Sequence, residues 1–301
     1  LSRDPRHAAL IDKYQHFTLE SLTPKLGAEV HGVDLARVSA DLFAELVDAF
    51  HRHLVLVFRD QELTRAEHKR FARLFGPLQL HPAKTRLGMP GDPEIFDIKI
   101  NADTQVANGE DWHTDLSCEP VPPKASALYI TQVPPSGGGD TLFANMQEAY
   151  ATLSRPVRDM LLKLTAYHSG YKDLRAYGVV PSLEQIYPCA NHPVVIAHPE
   201  SGKPVLFVNE PFTEKINELT AKESAAMLEM LYRHIQINTR LHCRVRWARN
   251  TLVLWDNRAV HHHAIWDYYP ESRQGERVTI QNDAPPKAFI NNHGDGELWR
   301  R

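Results

Sequence analysis

Apolar residues recur at two spacings along this chain, and the alternation between the two predicts where helices and strands fall. Phe43, Leu46, Val47 and Phe50 stand at i, i+3, i+4 and i+7, which predicts a helix from Asp41 to His53 with one apolar face. It runs into Leu54-Val55-Leu56-Val57-Phe58, a continuous β-rich run that suits a strand buried on both faces. Thr64-Arg65-Ala66-Glu67 has the spacing of a capping box and opens a second helix through Phe75, where Gly76-Pro77 stops it. Ser154, with Pro156 in the first turn, predicts a helix running to about His168. Thr220-Ala221-Lys222-Glu223 is another capping box, and its helix places Leu228, Leu231, Tyr232 and Ile235 on one face.

Strand patterns fill most of the remainder. They cover Phe17 to Leu19, Gly27 to Val33, Ala125 to Val133, Thr141 to Phe143, Leu241 to Trp247, Thr251 to Trp255 and Glu276 to Gln281. His192 to Pro199 and Pro204 to Val208 predict a hairpin across Glu200-Ser201-Gly202-Lys203, and Gly137-Gly138-Gly139-Asp140 a tight turn. Residues 80–111 lack a period apart from Ile95 to Ile100, which marks them as an active-site loop. Residues 170–192 are irregular, and residues 1–15 read as a polar lead-in. No 20–50 residue repeat and no interdomain linker is visible, so residues 1–301 read as one domain. Strands in bursts with helices between and before them predict an α+β fold with a strand-built core, not a wound βαβ sheet.

Composition narrows the partners. Of 301 residues, 43% are hydrophobic and 24% charged, and the net charge is −3. This is an ordinary globular balance with no basic excess for nucleic acid. No run of about 18 apolar residues predicts a membrane span, and Leu1 to Arg6 lack the apolar core of a signal peptide. Cys118, Cys189 and Cys243 form no Cys-x-x-Cys pair, and three reduced thiols suit a cytoplasmic protein. Self-association into a homo-oligomer is left open.

The candidate chemistry gathers in two stretches far apart in the chain. Trp112-His113-Thr114-Asp115 holds a His-x-Asp pair, and Trp255-Asp256-Asn257-Arg258-Ala259-Val260-His261-His262-His263 holds three more imidazoles. Two imidazoles and one carboxylate on one face of a metal leave the opposite face open, the ligand pattern of non-haem Fe(II) oxygenases. On an extended stretch His113 and Asp115 point to the same side and Thr114 points away. The plainer reading is a structural hydrogen bond between them. The third ligand lies among His261, His262 and His263, and strand parity does not say which faces inward.

Arg273 and Arg277 stand four apart, so in an extended segment they share a face at roughly 13 Å. Two inward guanidinium groups need anions, and their forks match carboxylates or sulfonates. The plainer alternative is a pair of surface arginines neutralised by Glu271 or Glu276.

Seven segments in this order make the chain resemble the taurine dioxygenase family of Fe(II)- and 2-oxoglutarate-dependent oxygenases, which includes alkylsulfate and 2,4-dichlorophenoxyacetate dioxygenases. They are Leu26 to Val30, Phe75-Gly76-Pro77 with His81-Pro82, Trp112 to Asp115, Gly138 to Leu142, His192 to Val195 with His198-Pro199, Phe207 to Glu210, and Trp255 to Arg258. The resemblance implies a double-stranded β-helix, a jelly-roll or cupin-like barrel with flanking helices. It implies Fe(II) on His113, Asp115 and His262, the far carboxylate of 2-oxoglutarate on Thr141 and Arg273, and the acidic group of the primary substrate on His81 and Arg277. It implies O2 as the oxidant, and hydroxylation of a small anionic molecule, an organosulfonate or sulfate ester that releases sulfite or sulfate. Asp115 argues against a halogenase, where a halide takes the carboxylate's place.

The chain also departs from the taurine enzyme's pattern. Lys84 stands where that enzyme has a Tyr, and Gly109 and Asn108 stand where its acidic and amide residues receive the taurine amine. Lys84 in the pocket would repel an ammonium group, so taurine itself is disfavoured. Two other readings are a carboxylate substrate with the same chemistry, as in the phenoxyacetate branch, and a non-catalytic metal-binding jelly roll. Thr141, Arg273 and Arg277 weigh against the last, since a simple metal binder needs none of them.

Overall fold

The computed structural model describes residues 14–81, 85, 90–106, 109–176, 178 and 187–291 of the 301-residue chain. The strands of the first half are β1 (Thr18–Ser21), β2 (Ala28–His31), β3 (Val55–Phe58), β4 (Phe96–Ile100), β5 (Ala125–Gln132), β6 (Thr141–Asn145) and β7 (Thr165–Ser169). Those of the second half are β8 (Cys189–Pro193), β9 (Val195–Ala197), β10 (Pro204–Leu206), β11 (Thr213–Ile216), β12 (His242–Val245), β13 (Thr251–Asp256), β14 (Val260–Ala264) and β15 (Arg273–Ile280). The α-helices are α1 (Ala40–His53), α2 (Arg65–Arg73), α3 (Met146–Ala151), α4 (Arg155–Leu161), α5 (Gly170–Ala176) and α6 (Ala221–Ile237). The fold is therefore mixed α+β.

A seven-stranded sheet runs in the order β1-β2-β3-β13-β5-β15-β4, with β2 and β3 parallel and the other neighbours antiparallel. Three smaller sheets accompany it, β12-β6-β14, β11-β7-β8 and β10-β9. The large sheet is covered on both faces, as β3 shows residue by residue. Leu56 and Phe58 pack with Leu46, Phe50 and Phe71 of α1 and α2, whereas Val55 and Val57 pack with Phe143, Val205 and Val260 of the small sheets. That two-sided burial is what the unbroken apolar run of 54–58 demands, because alternate side chains meet different partners.

Both capping boxes form. The hydroxyls of Thr64 and Thr220 accept from the N–H groups of Glu67 and Glu223, and each glutamate reaches back to its threonine. The hairpin of β9 and β10 also forms. Three expectations need correction. The helix from Ser154 ends at Leu161, and Thr165–Ser169 is a strand paired on both edges, with β8 and with β11. Seven helical residues gain little on their own, so the two-sided pairing of Thr165, Tyr167 and their neighbours wins. Ser154 occupies the cap position but makes no side-chain bond there. The stretch 170–192 holds α5 and β8.

Candidate active site

The two motif stretches meet as neighbouring backbones. His113 N–H donates to the carbonyl of His262 at 3.1 Å, and His262 N–H donates to that of His113 at 2.7 Å, an isolated antiparallel bridge. Residues directly opposite in such a bridge carry their side chains on the same side. The two imidazole rings accordingly lie 4.1 Å apart between centroids. Asp115 follows with Oδ1 at 4.0 Å from His113 Nε2 and 3.8 Å from His262 Nε2. One donor atom from each of the three falls within 4.8 Å of the others, close enough to hold one metal ion.

The protonation states suit that use. His113 Nδ1 lies 2.6 Å from the carbonyl of Asp111, a bond that makes Nδ1 the N–H and leaves Nε2 with a free lone pair. Burial pushes the His113 and His262 imidazoles down from their ordinary value, so both are neutral near pH 7. Burial also pushes the Asp115 carboxyl up, but the opposing effects, led by the Arg277 guanidinium bonded to it, hold it well below the usual carboxylate range. The set is two neutral imidazoles and one carboxylate, which fits a divalent iron with open positions.

The neighbouring histidines face elsewhere. His261 is buried, and neither of its ring nitrogens has a partner among the described residues. His263 stacks on Trp112 with ring centroids 5.5 Å apart. Strand alternation in β14 thus sends His262 alone toward Asp115. Thr114 points away, as expected, and donates to the carbonyl of Asn257 at 2.6 Å.

Arg273 and Thr141 share a second wall. Both are buried, and Trp247 links them: its indole N–H donates to the Thr141 hydroxyl at 3.0 Å, and its ring lies 5.3 Å from the Arg273 guanidinium carbon. The Tyr268 hydroxyl hydrogen-bonds Arg273, and burial pushes the guanidinium's pKa down. Its Nε has no partner among the described residues, which leaves a buried cationic fork suited to a carboxylate ligand. The expected turn at 137–139 is required here. Gly139 has φ +70°, and a Cβ on it would sit 3.0 Å from both Arg273 Cδ and Tyr268 Cε1.

Arg277 is not a surface arginine paired with Glu271 or Glu276. Glu276 binds Arg65, and Glu271 accepts from Ser136. Arg277 Nη1 instead donates to Asp115 Oδ1 at 2.7 Å, and the guanidinium lies 5.2 Å from the Phe96 ring. His81 stacks on the same Phe96 ring with centroids 4.4 Å apart. Gly109 lies against the cluster, since a Cβ there would be 3.4 Å from His113 Cε1. Lys84 and Asn108 lie outside the described residues. Sequence reasoning overlooked Trp247, Tyr268 and Phe96, which carry no charge and match no motif.

The model of the taurine catabolism dioxygenase TauD, TfdA family matches residues 18–279. The chain belongs to this family. Two relatives come from a bacterium and a yeast. An alpha-ketoglutarate-dependent sulfate ester dioxygenase of Pseudomonas putida is 35% identical over 294 residues, covering 92% of this chain and 91% of its own length. An alpha-ketoglutarate-dependent sulfonate dioxygenase of Saccharomyces cerevisiae is 32% identical over 282 residues, covering 89% and 67%. A crystal structure of a taurine dioxygenase from Burkholderia xenovorans superposes with a TM-score of 0.76 at 33% identity, covering 90% of this chain and 93% of that one.

Proposed function

We propose that this member of the TauD, TfdA family is an Fe(II)- and 2-oxoglutarate-dependent dioxygenase that hydroxylates a small organic anion, an organosulfonate or a sulfate ester. The observation that carries the reading is the cluster of partly buried His113 with buried Asp115 and His262, with partly buried Arg277 bonded to it and Arg273 buried against Trp247. The sulfonate and sulfate ester dioxygenases among its relatives support the same substrate class. The fold reading that goes with it is a double-stranded β-helix in one dioxygenase domain.

His113, Asp115 and His262 hold the iron. Thr141 and Arg273 bind the far carboxylate of 2-oxoglutarate, a hydroxyl and a fork donor together. His81 and Arg277 bind the acidic group of the primary substrate. When bound, the iron with 2-oxoglutarate and O2 supplies oxidative decarboxylation to succinate and carbon dioxide, coupled to hydroxylation of the substrate C–H. Arg277 and the Phe96 platform orient the target carbon toward the metal side of the pocket. If that carbon bears a sulfonate or sulfate ester, its hydroxylated form collapses to an aldehyde with loss of sulfite or sulfate.

The test is an anaerobic titration with Fe(II) and 2-oxoglutarate, followed by aerobic turnover against a panel of alkanesulfonates, alkyl sulfates and aryloxy carboxylates, read as succinate. Succinate formation stimulated by sulfonates or sulfate esters is the expected result. Stimulation by carboxylates alone moves the substrate to the phenoxyacetate branch, and failure to bind 2-oxoglutarate ends the dioxygenase reading.

A further inference from the structure

The Trp-Asp-Asn-Arg motif supplies a chain of hydrogen bonds whose far end is the metal-side carboxylate. Trp255 Nε1 donates to Asn257 Oδ1 at 2.8 Å. Asn257 Nδ2 donates to Ser126 Oγ at 2.9 Å, and Ser126 Oγ donates to Asp115 Oδ2 at 2.6 Å. All four side chains are at most 4% exposed. The Thr114 hydroxyl, bonded to the Asn257 carbonyl at 2.6 Å, ties the His113–Asp115 segment to the same residue.

The polarity of this chain is dictated from its closed end. An indole N–H only donates, so the Asn257 amide must turn its oxygen to Trp255. Its NH2 group then faces Ser126, whose oxygen must accept. The single hydroxyl hydrogen of Ser126 is left for Asp115 Oδ2 and nothing else. Oδ2 is thereby engaged from behind, and Oδ1, which also accepts from Arg277 Nη1 at 2.7 Å, is the oxygen turned to both imidazoles, at 3.8 and 4.0 Å.

We infer that Ser126 and Asn257 are positioning residues of the metal site, oriented by Trp255, which hold Oδ2 of Asp115 and reserve Oδ1 as its single donor to the metal. The inference rests on the functional reading above, because it gives the motif a task only if His113, Asp115 and His262 bind a metal. Ligating groups are steered by the side chains that hydrogen-bond to them, and loss of such a partner weakens metal affinity by roughly 10- to 100-fold. Asn257→Asp is the sharper probe. A carboxylate at 257 still accepts from Trp255 but turns an acceptor to Ser126, drawing the hydroxyl hydrogen away from Asp115.

The experiment measures Mn(II) dissociation constants of the full chain by the electron paramagnetic resonance signal of the free ion, with metal-free thermal unfolding alongside. Ser126→Ala and Asn257→Asp are each expected to weaken Mn(II) by roughly 10- to 100-fold. The double variant is expected to match the weaker single one, because both changes cut one chain. A residue that only supports the fold would lower the metal-free melting temperature and leave Mn(II) affinity alone. Dissociation constants within about threefold of the parent in both single variants, or full additivity in the double, overturn the inference. If Ser126→Ala does not fold, Ser126→Cys, a weaker donor of similar shape, takes its place with the same criterion. A parent chain that binds no Mn(II), or binds it equally well as Asp115→Ala, overturns the metal site itself and the inference with it.

Discussion

Arg277 Nη1 and Asp115 Oδ1 lie 2.7 Å apart, so the cation assigned to the substrate is bonded to the carboxylate assigned to the metal. A substrate anion must therefore share this guanidinium with Asp115. Arg277→Ala is expected to raise the substrate requirement by roughly 30-fold or more, the effect of removing a partner from a buried charge pair, about 2–5 kcal/mol. Uncoupled 2-oxoglutarate decarboxylation should persist, and Mn(II) affinity should hold or rise as Asp115 loses a competing cation. Loss of Mn(II) binding in this variant would reassign Arg277 to the metal pocket.

Arg273→Ala is expected to act on the co-substrate instead. The guanidinium is buried against Trp247 and Tyr268, so its loss removes the charge partner of one carboxylate. At about 2–5 kcal/mol the apparent requirement for 2-oxoglutarate should rise roughly 30-fold to several thousand-fold. Initial rates of succinate formation against 2-oxoglutarate concentration check it. The reverse pattern, with Arg277→Ala moving the co-substrate and Arg273→Ala the substrate, would exchange the two assignments.

Among three consecutive histidines only His262 turns to Asp115. His113→Ala, Asp115→Ala and His262→Ala should each abolish iron binding and turnover with the fold retained. His263→Ala, which loses a stack on Trp112, should keep iron. Iron retained by His262→Ala and lost by His263→Ala would place the donor one register away.

Gly139→Ala tests the turn behind Arg273. Its φ of +70° disfavours any side chain, and a Cβ 3.0 Å from both Arg273 Cδ and Tyr268 Cε1 would have to push those side chains back by a few tenths of an ångström. The backbone strain alone costs roughly 1–2 kcal/mol. The melting temperature should fall by a few degrees and the 2-oxoglutarate requirement should rise, with substrate affinity little changed. An unshifted 2-oxoglutarate requirement would separate the turn from the co-substrate pocket.

His68 supplies a pH dependence away from the site. It is a buried residue of α2, its ring fully buried with Nε2 at 3.1 Å from the Ala127 carbonyl, and burial pushes it down to about 4. The unfolded chain takes up this proton near the ordinary value of 6.5 while the folded one does not. Its stabilising contribution is thus complete above about pH 6.5 and is lost as pH falls toward 4, on the order of 3 kcal/mol in all. His68→Gln should flatten the decline of urea-unfolding stability between pH 6.5 and 4. An equally steep decline in the variant would move the acid sensitivity to other buried imidazoles.

Much of this was legible in the sequence where one residue type has one physical outcome. The caps at Thr64 and Thr220 and the doubly buried run at 54–58 follow from local rules. The His-x-Asp pair was legible because two residues apart on an extended stretch share a side. What escaped were features settled by partners remote in sequence. Thr165–Ser169 is a strand because β8 and β11 flank it, and nothing within the five residues says so. Trp247, Tyr268 and Phe96 are apolar or uncharged, and only the folded chain brings them against arginines. Strand parity left the choice among His261, His262 and His263 open and only the resemblance pointed to His262; the register of β14 against β6 sets His262 opposite Phe143.

The backbone bridge between His113 and His262 has a consequence for how the protein comes into being. It joins positions 149 residues apart (262 − 113), and closing a flexible span of that length carries an entropic penalty of about 4 kcal/mol plus a constant. During synthesis the first half of the bridge waits until the second emerges, so no nascent chain that ends before His262 holds all three donors. A metal ion captured across this seam favours only the completed state, by about 2.7 kcal/mol at a hundredfold excess over its dissociation constant. If His113, Asp115 and His262 hold iron, its supply during biosynthesis is expected to act on the lifetime of the folded chain as well as on its turnover.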